Sequence, residues 1–433
     1  MRSRKTLPGK PWFTDNGLLT VARMRALLLY VVLPACVAIV LWNVTTYARS
    51  GAHFGVVVEP GEVKIHDFAS HHGSARAFWR GEGGYGVPAH LRVTERLAGR
   101  PLPYALPFGY SPTMLWVLGP LCPLPTVLAF IAWTLLGLAG VLWAARRQSS
   151  LNGLTLAIPA AFVSPVALTC WALGQTAILS TVAFTALRRL DGRARLTGRA
   201  LLGTAIVVWA LTAKPPLAVV AVTALLAGRR FAVVGAALAL TVVSTAALLP
   251  LLGKANLVEY VHLLTHYDLD TAAPAFAWSL RPETMGNVRG LLHVSFGVGD
   301  AIASRWSSAL WLVASASVVI VALRRAAVSE VRWSLALLAY LLFCPHVTAT
   351  EELQLVVIVD QVGAMDHAGR PLRGTIIGAV LVLLFLLPVV PSLGPARLPA
   401  AVMGKLLLAG LLIAGAHRGP AGTTMQTARP SPA

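Results

Sequence analysis

The sequence predicts an all-α, polytopic integral membrane protein of about 12 membrane segments, with two long outer loops that carry short interfacial helices. Three observations predict it. Hydrophobic residues make up 56% of the 433 positions and charged residues only 12%, with a mean hydropathy of +0.71, far from a soluble globular composition. The apolar residues gather in successive runs, and short basic clusters separate them. Ten of the chain's seventeen acids (Glu59, Glu62, Asp67, Glu82, Glu95, Glu259, Asp268, Asp270, Glu283 and Asp300) fall in two hydrophilic stretches, 49–111 and 253–301. No internal repeat is visible, and nothing in the pattern supports a sheet or a separate soluble domain.

Taken in order, residues 1–25 are basic (Arg2, Arg4, Lys5, Lys10, Arg23, Arg25) and precede the apolar run 26–48. Its stretch Ala26–Trp42 is longer than a typical signal-peptide core and lacks a clear small-residue cleavage site after it, so it reads as a retained segment. The next run, 112–145, is broken by Pro120 and Pro123, which makes 112–121 a short helix along the interface. The remaining runs are 154–172, 174–188, 200–213, 215–227, 231–252, 302–323, 333–345, 351–366, 374–391 and 398–416. Arg146-Arg147, Arg188 to Arg199, Arg229-Arg230, Arg324 to Arg332 and Arg370 to Arg373 lie between them. Placing these clusters on the cytoplasmic side puts both termini inside and the two acidic loops outside. Residues 26–417 then form one transmembrane domain, and the Pro/Thr/Ser-rich 418–433 a disordered cytoplasmic tail. The net charge of +19 is thereby explained by topology, and nucleic acid is not expected as a partner. Cys36, Cys122, Cys170 and Cys344 sit in or beside apolar runs without a CxxC and read as small core hydrophobes.

Several runs are too short to cross and return. Between Arg199 and Arg229 the chain has Ala200–Ala213, Lys214-Pro215-Pro216 and Leu217–Ala227, two arms of about 14 residues that reach roughly 21 Å each. With both basic ends inside, the turn lies below the outer surface of a bilayer whose core is about 30 Å thick. Lys214 would then face a cavity, and an ionisable group at that depth is a functional-site hypothesis. The pattern recurs around Leu173-Gly174-Gln175 and Cys344-Pro345-His346. Each tip also has a plainer reading: Lys214 as a snorkelling anchor, Gln175 as interhelical glue, His346 as a local cap, Asp67 as one solvated loop acid among many. What favours a site is that the three tips share one depth and one face with the loop that holds Asp67.

A cation near the outer leaflet suits a lipid phosphate, and a lone aspartate suits general-base work on a hydroxyl. Together they describe transfer of a sugar from a lipid phosphate. Phosphate is already a good leaving group, so one carboxylate suffices, unlike the pair that glycoside hydrolysis requires. No phosphate-loop, dinucleotide or zinc-helix motif is present. His66, His71 and His72 beside Asp67 offer imidazoles to a metal, and Glu351-Glu352 reads equally as a metal ligand, an acceptor contact or an interfacial charge pair.

In order along the chain, five segments resemble the polytopic glycosyltransferases of family 87, a GT-C group that uses polyprenyl-phosphate sugars. Ile65-His66-Asp67-Phe68 with Ala75–Tyr85 is similar to the family's first outer loop. Leu106–Pro112 (LPFGYSP) followed by Pro120–Pro125 resembles its approach to the second span, with Ser111-Pro112 in place of a proline pair. Leu173-Gly174-Gln175 resembles its "GQ" helix start, Ala213-Lys214-Pro215-Pro216 its "xKxxP", and Phe343-Cys344-Pro345-His346 its "LSPH". Gly286-Asn287-Val288 matches the polar triplet of the fourth outer loop only loosely, and Glu351-Glu352 stands where relatives often have aromatic or histidine residues.

The resemblance implies a GT-C-type fold and a polyprenyl-phosphate-sugar-dependent hexosyl- or pentosyltransferase. Asp67 would be the catalytic base. Lys214 and His346, with Arg281 or Arg289 from the second outer loop, would hold the donor phosphate. Gln175, Tyr110 and Glu351 would line the cavity. The sugar would be mannose or arabinofuranose, and the acceptor a lipid-linked or cell-envelope glycan. The implied location is the bacterial inner membrane, with the active site facing outward. No cofactor is expected; no ligand set demands a metal, and use of a divalent ion stays open. The alternative reading is a secondary transporter or lipid flippase, which also uses broken helices but usually shows repeat symmetry and a site at the midplane.

Overall fold

In the computed structural model the described residues are 56–59, 62–102, 105, 108–146, 161–192, 196, 198–266, 282, 285–325, 328–329, 331–363, 370–386 and 397–417, with scattered positions between 26 and 45. The basic amino terminus, nearly all of the first expected segment, Arg281 and the tail 418–433 lie outside them.

A strand pair corrects the sequence reading. Strands β1 (Val56–Glu59) and β2 (Glu62–Ile65) pair antiparallel, with Val56 opposite Ile65 and Glu59 opposite Glu62. Two short β-branched runs separated by Pro60-Gly61 are a hairpin signal, one that a search for membrane periodicity passes over. Helices α1 (Asp67–Trp79) and α2 (Val87–Ala98) follow in the stretch expected as the first outer loop. The break expected at Pro120 and Pro123 is present: α3 (Thr113–Leu118) runs into a 3₁₀ turn, Gly119–Leu121, before the long α4 (Thr126–Arg146).

The bundle follows as α5 (Pro165–Leu173), α6 (Ala177–Asp191), α7 (Gly198–Leu211), α8 (Pro215–Ala227) and α9 (Phe231–His266). After these come α10 (Asp300–Arg324), α11 (Arg332–Phe343), a 3₁₀ segment Ala349–Leu355, α12 (Val356–Gly363), α13 (Arg370–Leu386) and α14 (Arg397–His417). Helix α9 carries Pro250 and is interrupted at Gly253, where φ is 71°. A second helical stretch follows the break and runs to His266.

Among the described residues, four helices are long and apolar enough to cross a membrane, or five if the pair α5 and α6, bent by 114°, counts as one. Gly198–Leu211, Pro215–Ala227, Arg332–Phe343 and Gly374–Phe385 are apolar but shorter. Among the described residues, several of the about 12 segments expected from apolar runs are thus helices too short for a full crossing, as expected of the arms around Lys214 and His346. Runs of 12 to 14 helical residues reach only about 18–21 Å.

Helices divide by what they touch. In the apolar windows of α9 and α10 only 17% of residues are buried, and Leu238, Val243, Leu312 and Val313 point outward, as lipid-facing surface should. Helix α11 is the reverse, with Trp333 through Leu342 all buried; it sits in the main core with α6, α8 and α12. A second apolar cluster, including Phe68, Phe78, Tyr85, Phe108, Phe130 and Trp133, packs the first outer loop onto α4.

One end of the bundle is held by buried carboxylates. Asp191, the last residue of α6, accepts from Arg230 Nε at 2.8 Å and Trp333 Nε1 at 2.9 Å, and also pairs with Arg332. Asp360 of α12 accepts from Arg188 Nε at 2.6 Å and Arg189 at 2.7 Å. Three of the basic clusters expected on one side thus meet at one end. The tips around Gln175, Lys214 and His346 are the opposite ends of α6, α8 and α11.

Candidate active site

At that opposite end the interrupted helices present their polar termini. Gly174 closes α5 with φ of 64°, a left-handed conformation that only glycine adopts readily. A Cβ at this position would stand 2.6 Å from Phe68 Cβ and 3.0 Å from Phe130 Cε2, so the first outer loop can approach only because the side chain is missing. Trp133 Nε1 donates to the Gly174 carbonyl at 3.1 Å and the Gln175 amide to Cys170 O at 2.9 Å. With its backbone so fixed, Gln175 donates through Nε2 to Asp67 Oδ2. Asp67 is the first residue of α1, after His66 in extended geometry.

The loop before α3 links this pair to the next tip. Tyr110 Oη lies 3.2 Å from Thr176 Oγ1, and its ring meets His71 edge-on at 4.6 Å. The Ser111 amide donates to Ala213 O at 2.9 Å and its hydroxyl to Thr212 O at 2.6 Å. These bonds fasten the loop to the turn that carries Lys214. Lys214 is the N-cap of α8, extended at φ −117°, ψ 97°, with proline in the first turn. Pro215 and Pro216 permit that start, since the first helical N–H groups have no intrahelical acceptor.

Lys214 pairs with Glu351. The carboxylate also accepts from Tyr340 Oη at 2.6 Å and Gln354 Nε2 at 3.1 Å. The lysine side chain is 20% exposed and the glutamate 1%, so the cation is the open member of the pair. Glu352 diverges from its neighbour and pairs with Lys405 of α14, which also donates to Gly286 O at 2.7 Å. The two glutamates therefore serve two different lysines.

His346 is half-buried in the turn after α11. That turn is fixed from behind: Asn287 Nδ2 donates to Cys344 O at 2.8 Å and an Arg289 nitrogen to Pro345 O at 2.9 Å. Arg289, expected on the donor phosphate, is 1% exposed and makes two bonds to Asp300, at 2.9 and 2.7 Å. Its guanidinium is committed to supporting the His346 turn. Arg281 lies outside the described residues.

The electrostatics follow from burial. The Asp67 carboxyl is pushed up to about 6 by burial, with the Lys214 charge opposing the rise. Burial and the same lysine hold His71 down at about 3, and burial holds His66 at about 4, so both rings are neutral near pH 7. The imidazoles that cluster in sequence separate in space. His72 Nε2 meets Leu121 O at 3.0 Å, His71 packs on Tyr110, and His66 lies edge-on to Phe130 at 6.4 Å. Among the described residues no three His, Cys, Asp or Glu side chains form a group that could hold a metal ion.

The arrangement joins a carboxylate poised to titrate near neutrality, as a general base requires, to a partly open cation able to stabilise a departing anion. Asp67, Gln175, Tyr110, Lys214 and Glu351 are in one connected polar region. Sequence reasoning did not assign Tyr340, Gln354, Thr176 or His71 to it. His71 was within reach, because it lies one helical turn after Asp67 on the same face of α1. Tyr340 had no such signal, being one apolar-helix residue among many.

The model of glycosyltransferase family 87 matches residues 108–348, more than half of the chain. The match includes Tyr110, Gln175, Lys214, Arg289 and His346; it begins after Asp67 and ends before Glu351. No curated protein and no solved structure gives a match.

Proposed function

The chain belongs to glycosyltransferase family 87 and is a membrane glycosyltransferase, and on that premise we propose that its donor is a polyprenyl-phosphate sugar and its catalytic base Asp67. The observation that carries this reading is the joining of Asp67, through Gln175 and Tyr110, to the turn of Lys214. An acceptor hydroxyl placed against Asp67 loses its proton to the carboxylate as its oxygen attacks the anomeric carbon. The bond from that carbon to the phosphate oxygen breaks, the electron pair leaves with the polyprenyl phosphate, and configuration inverts in a single displacement. Lys214, aided by His346, stabilises the charge that grows on the leaving phosphate. Neutral His71 and Tyr110 keep the region between them free of further charge. The polyprenyl chain lies between the helices in lipid.

The rest of the reading rests on the resemblance and on the distribution of charge. The sugar is mannose or arabinofuranose, the acceptor a lipid-linked or cell-envelope glycan. The fold is of GT-C type, with the site on the outer side of the inner membrane. The deciding assay incubates the purified chain with radiolabelled polyprenyl-phosphate mannose or arabinofuranose and a membrane lipid extract. Wild type should label a lipid product, and Asp67→Asn should lower the rate by about 10²–10⁴-fold, the usual contribution of a positioned base. Undiminished transfer by Asp67→Asn removes Asp67 from the mechanism.

A further inference from the structure

Helix α1 carries Asp67 at its start, and a different set of groups at its far end. There Arg76, Trp79 and Arg80 line a cavity of about 610 Å³, walled opposite by Trp116, Pro120 and Pro123. Nine residues separate Asp67 from Arg76, about 14 Å along a helix, so this cavity is apart from the region around Gln175. Its aromatic walls are fixed. Trp79 Nε1 donates to Leu115 O at 3.0 Å, Trp116 Nε1 to Ser244 O at 3.0 Å, and the two rings meet edge-on at 5.7 Å. Both tryptophans nonetheless stay more than a third exposed, at 38% and 37%.

Among the described residues the two cations here form no ion pair. Arg76 Nε is buried without an acceptor, and among the described residues neither the Arg76 nor the Arg80 guanidinium makes a hydrogen bond or ion pair. Arg80 does act on the Glu82 carboxylate, but that group is bonded to Arg96 at 2.7 Å. A buried donor without an acceptor is costly, and guanidinium matches phosphate oxygens in a two-pronged geometry. Proline walls have no backbone N–H to offer a polar ligand, and tryptophan is enriched where a membrane meets water.

We propose that this cavity binds an anionic membrane phospholipid, its phosphate on Arg76 and Arg80 and an acyl chain along Trp79, Trp116, Pro120 and Pro123. The lipid would pin the far end of the Asp67 helix to the interface. The proposal rests on the membrane setting alone and stands whether or not Asp67 is the base.

Native mass spectrometry of the full chain, released from detergent micelles doped with dioleoyl phosphatidylglycerol or dioleoyl phosphatidylcholine, tests it. Wild type should retain one phosphatidylglycerol about tenfold more tightly than phosphatidylcholine, and Arg76→Gln/Arg80→Gln should lose that preference. Arg80→Gln alone, at an exposed position, should lose part of it with an unchanged melting temperature, and decides the matter if the double variant does not fold. Equal retention of the two lipids, or an unchanged preference in Arg80→Gln, overturns the proposal. Displacement by farnesyl phosphate but not by added phosphatidylglycerol assigns the cavity to the polyprenyl carrier instead. Displacement by millimolar inorganic phosphate makes it a site for the free ion. Either result overturns the phospholipid.

Discussion

Asp67 and Lys214 are tuned by neighbours that can be removed one at a time. Burial lifts the Asp67 carboxyl to about 6, so the proposed base is protonated below that pH and ionised above it. Plotted against pH, kcat/KM should rise about tenfold per unit up to about 6 and then level. An acid limb near the ordinary aspartate value of about 3.9 would mean that another group sets it. Gln175 bonds to the ionised form, so Gln175→Leu should move the limb upward. The hydrogen bond to a charged group is worth about 1.5–3 kcal/mol, which corresponds to a rise of about one to two pH units. For Lys214 the difficulty is separating chemistry from stability. Lys214→Met leaves Glu351 buried with no cation, and a broken buried pair costs about 3–5 kcal/mol. Lys214→Met/Glu351→Gln removes both charges and should recover much of the thermal stability while transfer stays low. Recovery of transfer in that double variant would show that Lys214 serves only its partner.

At the scale of elements, the site depends on where helices stop. Gly174→Ala puts a methyl against Phe68 and Phe130 and forces a left-handed backbone on a residue that resists it, at about 1–2 kcal/mol for the backbone and about 1–3 for the overpacking. Melting in detergent should fall accordingly. Transfer should fall further, because the displaced α1 separates Asp67 from Gln175. A stable Gly174→Ala protein with full activity would mean that this close approach is not needed. The tips themselves were legible in the sequence, since proline or glycine beside a lone polar residue marks a place where a helix can stop. The arms of α7 and α8 were legible too, from the spacing between Arg199 and Arg229. Other elements were not. The β1–β2 hairpin is four residues a side and carries no membrane signal, and beyond the non-helical break at Gly253 (φ 71°, ψ 159°) a second helical stretch runs on to His266. Partners of buried charge were least legible. Glu351 meets Lys214 across 137 positions of sequence, and no local pattern records such a pairing. The same holds for Arg289, expected on the donor phosphate, which pairs with Asp300.

On the scale of the whole molecule the bundle has two chemically distinct ends, joined by three helices that each run from one to the other. Helix α6 follows Gln175 and ends in Asp191; α8 starts at Lys214 and stops before Arg229-Arg230; α11 starts at Arg332 and stops before His346. Helices of 15, 13 and 12 residues place those ends roughly 18–22 Å apart. At one end carboxylates neutralise the arginines of the basic clusters; at the other lie the carboxylate and lysine of the proposed site. The division has an experimental consequence. Asp191→Ala strips Arg230 and Arg332 of a fully buried acceptor, which costs about 3–5 kcal/mol, and the melting temperature should fall clearly. At about 20 Å one unit charge acts with about 0.8 kcal/mol at an effective dielectric constant of about 20, roughly half a pH unit. The acid limb of kcat/KM should therefore stay within about half a unit of the wild-type pH in the folded fraction of Asp191→Ala. A limb that moved further with Asp191 would show that the two ends are coupled through the helices, and that stability and catalysis in this bundle cannot be assigned to separate poles.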